Sequence, residues 1–302
     1  MGKIQVTVLI PAYNAAGTIN RAIDSILNQK YNQELIKIVV VNDGSKDETL
    51  SILLNYQKIY GTNKIKIITQ VNKGLSATRN ILINHVETNW FLFLDADDWY
   101  HKNALTNMVK IIKKDTDIVV SKAIWWKNNV YRRTILTNQF NKKSNLLDYL
   151  LKCDYGYLWN KLYNIHFIKK YNIHSKVGYS ITEDQYFSNQ VYANNPKIAF
   201  CTKHTFYYFK NKFSMSSKTN LKEMYRLFDM LKDSIKVIDN DLIIKNYWIN
   251  ILFWINKISK LSNEEKYAIN KKVNSLIHNK AYKFKVSKWR KIAYKMIKKN
   301  IF

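Results

Sequence analysis

Residues 90–98 read Trp-Phe-Leu-Phe-Leu-Asp-Ala-Asp-Asp, a run of apolar side chains followed at once by three carboxylates. An uninterrupted apolar run of this length is typical of a strand that is buried on both faces of a parallel sheet. Open α/β sheets bind their ligands at the carboxyl ends of such strands. This stretch therefore predicts the fold class and also the edge of the sheet at which a site should lie.

The residues before this stretch alternate strand-like and helix-like patterns. Short apolar, β-branched runs predict three further strands, over residues 6–11, 36–42 and 65–69. Apolar side chains at helical spacing predict helices after these strands, over residues 19–27, 50–59 and 76–86. Strands that alternate with helices indicate a mostly parallel sheet with helices on both faces, so the predicted fold class is α/β.

Composition excludes several classes of protein. The chain has 302 residues, of which 47% are hydrophobic and 14% aromatic, too many for a disordered chain. Cys153 and Cys201 are too few for a disulfide framework, and no CxxC or Cys/His cluster indicates zinc. The most apolar segment, residues 241–259, is interrupted by Lys245 and asparagines, which favours a packed helix over a membrane span. Because the N-terminal apolar run is too short for a signal peptide, we expect a cytoplasmic protein.

The formal net charge of +27 is unevenly distributed along the chain. Residues 1–100 carry 10 basic and 9 acidic side chains, residues 101–220 carry 20 and 6, and residues 221–302 carry 19 and 7. Such a field attracts polyanions, for example nucleic acid, anionic lipid or phosphorylated ligands. An AT-rich coding sequence is the alternative explanation, because only six of the 49 basic residues are arginine.

Two motifs at strand ends carry carboxylates. Asp95, Asp97 and Asp98 stand so close together that they repel one another, and a divalent cation shared with a phosphate would relieve this repulsion. A solvated, aspartate-rich turn is the alternative. Asp43, in the run Asn-Asp-Gly-Ser that begins at Asn42, could accept a hydrogen bond from a base imide or a ribose hydroxyl. Here the alternative is an Asx-turn that leads into a capped helix.

Two further motifs combine charged side chains with the start of a helix. After the third strand, Gly74 suits a loop entering a helix whose free N–H groups favour an anion, and Lys73 and Arg79 would add contacts to phosphate. The alternative is a capped helix with an exposed arginine. At the start of a later helical pattern, Glu183 and Asp184 either stabilise the helix macrodipole or supply a general base.

Five runs of the sequence, taken in order, resemble the inverting family 2 glycosyltransferases, which have the GT-A fold. The runs are VTVLIPAYN from residue 6, VVVNDGSKDET from residue 39, NKGLSATRN from residue 72, FLFLDADDWY from residue 91 and ITEDQYF from residue 181. Two further runs, LWNKLYNIHFIKK and YYFKNKFSMS, also match that family. The resemblance covers residues 4–217, and the remaining C-terminal residues carry no recognised motif.

The resemblance implies a nucleotide-sugar donor site at the strand ends. Asp43 would accept a hydrogen bond from the base, most often uracil, and Asp95 would lie near the ribose. Asp97 would ligate Mg²⁺ or Mn²⁺ bridging the diphosphate, while Asp98 would shape the loop or the sugar pocket. The other residues that would line or border the donor are Pro11, Ala12, Tyr13, Asn14, Lys73, Gly74, Arg79 and Ala96.

The resemblance also implies the chemistry. Transfer with inversion requires in-line attack on the anomeric carbon from the face opposite the leaving diphosphate, and Asp184 would deprotonate the attacking acceptor hydroxyl. The residues that would support this base or contact the acceptor are Glu183, Trp159 and Lys161. The sequence departs from the family at Thr78, where alanine is usual, and at Ile81, where glycine is frequent. Neither departure is expected to touch the proposed chemistry.

These expectations divide the chain into a catalytic GT-A domain, residues 1–217, and a basic α-helical extension, residues 218–302. In the extension, Tyr282, Val286 and Trp289 begin an apolar stripe at helical spacing, with lysines mostly around the other side. Such a helix suits an anionic membrane surface or packs on the catalytic domain. The expected partners are a nucleotide-sugar donor, a glycan or undecaprenyl-linked acceptor and the inner face of the cell membrane. The protein would then be cytoplasmic, peripheral and engaged in cell-surface glycan synthesis.

The competing hypothesis is a basic membrane- or nucleic-acid-binding protein built on an inactive transferase fold. The sequence has no zinc finger, RNP-like aromatic motif or helix-turn-helix signature, so we expect no nucleic-acid partner. A nicotinamide-dependent dehydrogenase would require GxGxxG after the first strand. Residues 11–14 read Pro-Ala-Tyr-Asn there, which argues against that class of enzyme.

Overall fold

The computed structural model describes residues 3–127, 130–133, 156–178 and 183–209, together with residues 229, 262–265, 267, 268 and 271. The chain divides into two compact units, Met1–Phe213 and Ser214–Phe302. The predicted domain boundary after residue 217, the apolar segment 241–259 and the stripe that begins at Tyr282 lie outside the described residues and stay predictions. Within the described ranges, no helix has the length and hydropathy needed to cross a membrane.

In the described part of the chain, nine strands form one sheet. They are β1 Val6–Ala12, β2 Ile36–Asp43, β3 Ile65–Gln70, β4 Trp90–Phe93, β5 Trp99–Tyr100, β6 Ile118–Lys127, β7 Val130–Arg133, β8 Lys161–Asn164 and β9 Ile198–Phe209. The described helices of the first unit are α1 Ile19–Leu27, α2 Thr49–Tyr60, α3 Leu75–Asn84, α4 Ala104–Val109, α5 Ile165–Lys170 and α6 Glu183–Ala193. The strands and helices predicted before residue 98 are all present.

The order of the strands is β3-β2-β1-β4-β8-β6-β9-β5, with β7 paired to β6. The four strands β3, β2, β1 and β4 are parallel, which confirms the predicted α/β class. β8 then pairs antiparallel with both β4 and β6. The sequence did not predict β8, because Lys-Leu-Tyr-Asn is short, has a polar residue at each end and lacks an apolar run.

Helices pack on both faces of the sheet. On one face, Ile26 of α1 and Met108 of α4 share a buried cluster with Val8 of β1. On the opposite face, the ring of Phe93 in β4 lies 6.0 Å from the ring of Phe187 in α6. Because both faces are covered, these strands need apolar side chains at successive positions, and this is why their sequences do not alternate.

Candidate active site

The polar motifs follow directly from strands that end at the same edge of the sheet. β1 ends at Ala12, β2 at Asp43, β3 at Gln70 and β4 at Phe93, shortly before Asp95. The parallel register places Asp43 directly opposite Gln70. Residues from distant parts of the sequence therefore lie together at the edge where α/β sheets bind ligands.

Hydrogen bonds fix the loop after β1 to the loop after β2. The side chain of Asn14 accepts from the N–H of Lys46 at 2.8 Å, and the N–H of Asn14 donates to Ser45 Oγ at 3.0 Å. Asn42 Oδ1 accepts from the N–H of Ser45 at 3.3 Å. Asp47 Oδ1 accepts from the N–H of Thr49, two residues on, at 3.0 Å, so an Asx-turn leads into α2 from Asp47. Tyr13 remains 49% exposed, while the two residues before it are buried in β1. Asn14 thus shapes the wall of the site, and Tyr13 is accessible to a ligand.

Asp43 is buried, and its carboxylate holds the loop that follows β3. Oδ1 accepts from the N–H of Lys73 at 2.8 Å, and Oδ2 accepts from the N–H of Gly74 at 2.9 Å. The close approach depends on Gly44, whose φ is +72° and whose position would bring a Cβ within 2.8 Å of the Asn72 nitrogen. The backbone of the Lys73–Gly74 loop is therefore a direct partner of the Asp43 carboxylate.

Gln70 extends this contact to α3. Its Nε2 donates to Asp43 Oδ1 at 2.7 Å and to the hydroxyl of Thr78 at 3.2 Å. Thr78 is buried, and it is one of the two positions at which the sequence departs from the family. Thr78 thus contacts the residue that orients Asp43, and the expectation that this departure does not touch the proposed chemistry stays a prediction.

The carboxylates that follow β4 have different environments. Asp95 and Asp97 are partly exposed, whereas Asp98 is fully buried and its Oδ1 accepts from the N–H of Phe209 at 2.7 Å. Burial, reinforced by the charges of Asp97 and Asp95, raises the pKa of Asp98 well above its ordinary value. Burial and the charge of Asp95 raise the pKa of Asp97 to about 6. Asp98 thus shapes the loop by holding the end of β9.

Arg21 of α1 holds the same loop through contacts that no local pattern in the sequence predicts. Its Nη2 donates to the carbonyl of Asp97 at 2.6 Å. Its guanidinium lies 4.2 Å from the ring centroid of Trp99 and 4.7 Å from that of Phe209, within cation–π distance of both. Arg21 also places a positive charge beside Asp97 and Asp98.

The carboxylate pair Asp95 and Asp97 suits a hard divalent cation. Within the described residues, no group of three His, Cys, Asp or Glu side chains could enclose a metal ion. The protein would therefore supply one or two carboxylates, and phosphate oxygens and water would complete the coordination, as is usual for Mg²⁺. Burial raises the pKa of Asp97 most, and the charge of Asp95 adds to this rise; a divalent cation would offset the repulsion between the two carboxylates. The residues fit the predicted cation.

Arg79 connects the loop after β4, which carries Asp95, with the start of α6. It is 4% exposed, so the alternative of an exposed arginine is wrong. Its Nη1 donates to Glu183 Oε1 at 2.7 Å, and its Nη2 lies 3.2 Å from Asp95 Oδ1. Burial lowers the pKa of Arg79, but the charges of Asp95, Glu183 and Asp184 outweigh burial and keep the guanidinium charged. The arginine predicted to border the donor is thus engaged with carboxylates on two sides.

Asp184 follows Glu183 in the first turn of α6. The residue is partly exposed, and its Oδ1 accepts from the N–H of Gln185 at 2.8 Å. Burial, together with the charge of Glu183, raises the pKa of Asp184 to about 8. An accessible carboxyl with a pKa in this range can take a proton from a hydroxyl more readily than an ordinary aspartate can.

Trp159 and Lys161 lie in the core rather than on an open surface. The ring of Trp159 stacks between Tyr157 at 4.7 Å and Phe206 at 4.5 Å. Lys161 is fully buried, and its Nζ donates to the carbonyl of Tyr157 and to Asn160 Oδ1 at 3.1 Å. These positions fit a supporting role, one of the two roles expected for them, better than contact with an acceptor.

Four parallel strands with carboxylates at their ends, tied by a buried arginine to a helix-borne carboxyl pair, define an α/β protein whose candidate site lies where open α/β sheets bind their ligands. A family model described as Glycosyl transferase family 2 matches residues 7–214. The chain belongs to this family.

Curated relatives and solved structures agree with this assignment. Glycosyltransferase GlyA of Streptococcus pneumoniae is 28% identical over 78% of this chain and 35% of its own length. TarP of Staphylococcus aureus, a poly(ribitol-phosphate) beta-N-acetylglucosaminyltransferase, is 24% identical over 80% of this chain and 74% of its own. The chain spans about half of a processive diacylglycerol beta-glycosyltransferase of Mycoplasma genitalium, 31% identical over 56% of this chain and 53% of that protein.

Two solved structures carry the same fold. TarS residues 1–349 of S. aureus, in complex with UDP-GlcNAc, aligns with a TM-score of 0.69 at 19% identity, covering 99% of this chain and 89% of that chain. The mannosyltransferase PcManGT of Pyrobaculum calidifontis, in complex with GDP-Man and Mn²⁺, aligns with a TM-score of 0.59 at 13% identity, covering 99% of this chain and 87% of that chain. These likenesses confirm the predicted GT-A fold.

Proposed function

We propose that this protein transfers a sugar, with inversion, from a UDP-sugar to a hydroxyl of a glycan or lipid-linked acceptor in cell-surface glycan synthesis. The observation that carries the proposal is the position of Arg79 between Asp95, at the donor edge of the sheet, and Glu183, next to Asp184. One buried side chain thus links the carboxylates expected at the donor to the carboxyl expected to act as base.

Asp184 is the proposed catalytic base. In the reaction, the acceptor oxygen forms a bond to the anomeric carbon while the bond from that carbon to the diphosphate breaks, and the hydroxyl proton passes to the Asp184 carboxylate. A raised pKa makes the carboxylate a stronger base, and its partial exposure leaves it within reach of an acceptor. Arg79 and Glu183 hold the first turn of α6 in place.

Asp97, with Asp95 beside it, is the proposed ligand of Mg²⁺ or Mn²⁺. A cation bound there would neutralise the negative charge that develops on the departing nucleotide diphosphate. The Mn²⁺ and GDP-Man in the PcManGT structure support this assignment by analogy of fold. The UDP-GlcNAc of the TarS structure supports a nucleotide-sugar donor in the same way and favours uridine as its base.

The proposed acceptor class rests on the relatives. TarP and a relative in Bacillus spizizenii are named for transfer to poly(ribitol-phosphate), a phosphate-rich polymer. The excess of basic residues after residue 100 suits such an acceptor, and it also suits an anionic membrane surface. We therefore include peripheral membrane association, for which cosedimentation with anionic but not neutral vesicles is the expected result. Equal binding to neutral vesicles, or no binding, would contradict it.

A donor screen tests the proposed reaction. Purified protein is incubated with UDP- and GDP-sugars and Mn²⁺, and release of nucleotide diphosphate is followed with and without poly(ribitol-phosphate). We expect acceptor-stimulated release from a UDP-sugar. The Asp184→Asn variant should bind UDP as the wild type does and should lose most of this release, because an amide cannot accept the proton. Unchanged transfer by Asp184→Asn would refute the assignment of the base.

A further inference from the structure

Asp43 and Gln70 face each other across the carboxyl ends of β2 and β3. The amide nitrogen of Gln70 donates to Asp43 Oδ1 at 2.7 Å, and the N–H of Lys73 donates to the same oxygen at 2.8 Å. A carboxylate oxygen has two lone-pair directions, so the protein occupies both at Oδ1. Oδ2 receives one hydrogen bond from the described residues, from the N–H of Gly74 at 2.9 Å. One lone pair of Oδ2 is therefore left for another donor.

Thr78 fixes which way the Gln70 amide points. Its hydroxyl, 3.2 Å from Gln70 Nε2, provides the amide nitrogen with a second acceptor beside Asp43. The terminal torsion of glutamine is soft, so the side chain depends on such partners for its orientation. The opposite end of the amide, Gln70 Oε1, is buried and has no donor among the described residues. Gln70 is thus held entirely through its nitrogen.

We propose that Gln70 and Thr78 are positioning residues for nucleobase recognition. They hold Oδ1 of Asp43 so that the remaining lone pair of Oδ2 receives the N–H of the donor's base. This inference rests on the proposed function, because it takes Asp43 as the residue that meets the base. It adds two residues that do not contact the reacting atoms and whose effect is confined to the base.

The choice of base follows from the chemistry of an acceptor-only carboxylate. Uracil carries a hydrogen on N3 and can donate to Oδ2. Cytosine has an unprotonated N3, which would place a lone pair against the carboxylate. A well-oriented Asp43 therefore favours UDP over CDP, and a carboxylate free to rotate distinguishes the two less well.

Calorimetric titration of the full chain with UDP, CDP and inorganic pyrophosphate, each with Mn²⁺, tests the proposal. Thr78→Val keeps the shape of threonine and removes the hydroxyl, while Thr78→Ser keeps the hydroxyl. We expect Thr78→Val and Gln70→Leu to weaken UDP binding about fivefold, the size of one hydrogen bond, and to lower the UDP-to-CDP affinity ratio. Thr78→Ser should retain wild-type values. Pyrophosphate, which has no base, should bind all variants equally.

The outcomes separate this inference from the proposed function. A wild-type protein that binds neither nucleotide would overturn the proposed function, and the inference with it. A wild-type protein that binds UDP, with Thr78→Val and Gln70→Leu binding UDP and CDP in the wild-type ratio, would overturn the inference alone. Equal losses for UDP and pyrophosphate would also overturn it, because they would indicate general damage to the loop rather than an effect on the base.

Discussion

The guanidinium of Arg79 donates a hydrogen bond of 2.7 Å to the carboxylate of Glu183, which lies 104 positions further along the chain. Both side chains are buried, with 4% and 8% of their surfaces exposed. The pair joins α3, which follows the strand-end loop, to the first turn of α6, which carries Asp184. The arrangement of the site therefore depends on an ion pair that the surrounding protein shields from water.

Removal of Arg79 should destabilise the fold. Arg79→Met would leave Glu183 buried without its cation, and breaking a buried pair in this way costs about 3–5 kcal/mol. The free energy of unfolding in urea measures the loss. Lys37→Met is the matched control, because Lys37 pairs with Glu87 on the surface, where 40% and 56% of the two side chains are exposed. That pair should be worth about 0–1 kcal/mol, and equal losses for the two variants would contradict the assignment.

The pKa of Asp184 predicts how the reaction depends on pH. Burial and the charge of Glu183 raise this pKa to about 8, so the carboxyl is protonated in neutral solution and becomes a base as the pH rises. Release of UDP should increase with pH up to about this value. Glu183→Gln removes the neighbouring negative charge, lowers the pKa of Asp184 and should shift the rise to lower pH.

The raised pKa of Asp184 also affects the stability of the fold: rising pH should increase activity but decrease stability. The unfolded carboxyl ionises near pH 3.8, whereas the folded one keeps its proton to about pH 8. Between these values the folded protein binds more protons, so the contribution of Asp184 to stability falls as pH rises through this window. Asp184→Asn should flatten that part of the profile. Glu87→Gln, which changes an exposed carboxylate, is the control for both the activity and the stability measured against pH. If the rise in UDP release stays at the same pH or moves to higher pH in Glu183→Gln, the role given to the Glu183 charge is wrong.

The sequence predicted the parallel half of the fold because that half is determined by local patterns. Each of its strands is a short apolar run ending in a polar motif, and the motifs remain attached to the strand ends whatever the rest of the chain does. The partners of those motifs are not local. Arg79 meets Glu183, and Arg21 meets the carbonyl of Asp97, through contacts between elements that are far apart in sequence. The pattern of side chains within one segment cannot predict such contacts between distant segments.

Burial was the second property that the sequence did not reveal. Lys161 and Arg79 carry charges that favour the surface, yet both are buried because carbonyl, amide or carboxylate groups receive their hydrogens. Composition predicts exposed lysines and arginines in a chain of net charge +27. Arg79 has a partner on another helix, and Lys161 has partners within its own segment. The sequence alone does not show that either side chain is buried.

Asp97→Asn should weaken binding of Mn²⁺ in the presence of UDP. The amide keeps the shape of the side chain and removes the charge that attracts the cation, and we expect a loss of at least about tenfold. Titration calorimetry with Mn²⁺ measures this loss. Asp115→Asn is the control, because that carboxylate is 60% exposed and pairs with Lys197. The cation assignment would not survive an Asp97→Asn variant whose Mn²⁺ affinity equals that of the wild type.

Arg21 should affect the carboxylate loop through its planar guanidinium. Arg21→Lys keeps the charge but replaces the flat group that lies against both Trp99 and Phe209. We expect the variant to lose about 1–2 kcal/mol of unfolding free energy, from the hydrogen bond to Asp97 and the cation–π contacts. Urea unfolding measures this, with Lys102→Arg as a conservative control in the same region. A fully stable Arg21→Lys variant would mean that charge alone holds the loop.

Gly44 offers a direct test of the close contact between Asp43 and the loop after β3. Gly44 and Gly61 both have positive φ, +72° and +82°, so alanine at either position strains the backbone. Only at Gly44 would the added Cβ meet backbone, 2.8 Å from the Asn72 nitrogen, while nothing lies within 4 Å of it at Gly61.

The UDP affinities of the two alanine variants therefore test the contact. We expect Gly44→Ala to lose, beyond its backbone strain, about 1–3 kcal/mol of unfolding free energy, because overpacked backbone must shift. The shift would move the N–H groups of Lys73 and Gly74 away from Asp43, so UDP affinity should fall in Gly44→Ala and stay at the wild-type value in Gly61→Ala. Equal UDP affinity of the two variants would mean that the contact of this loop with Asp43 is not needed to bind the nucleotide.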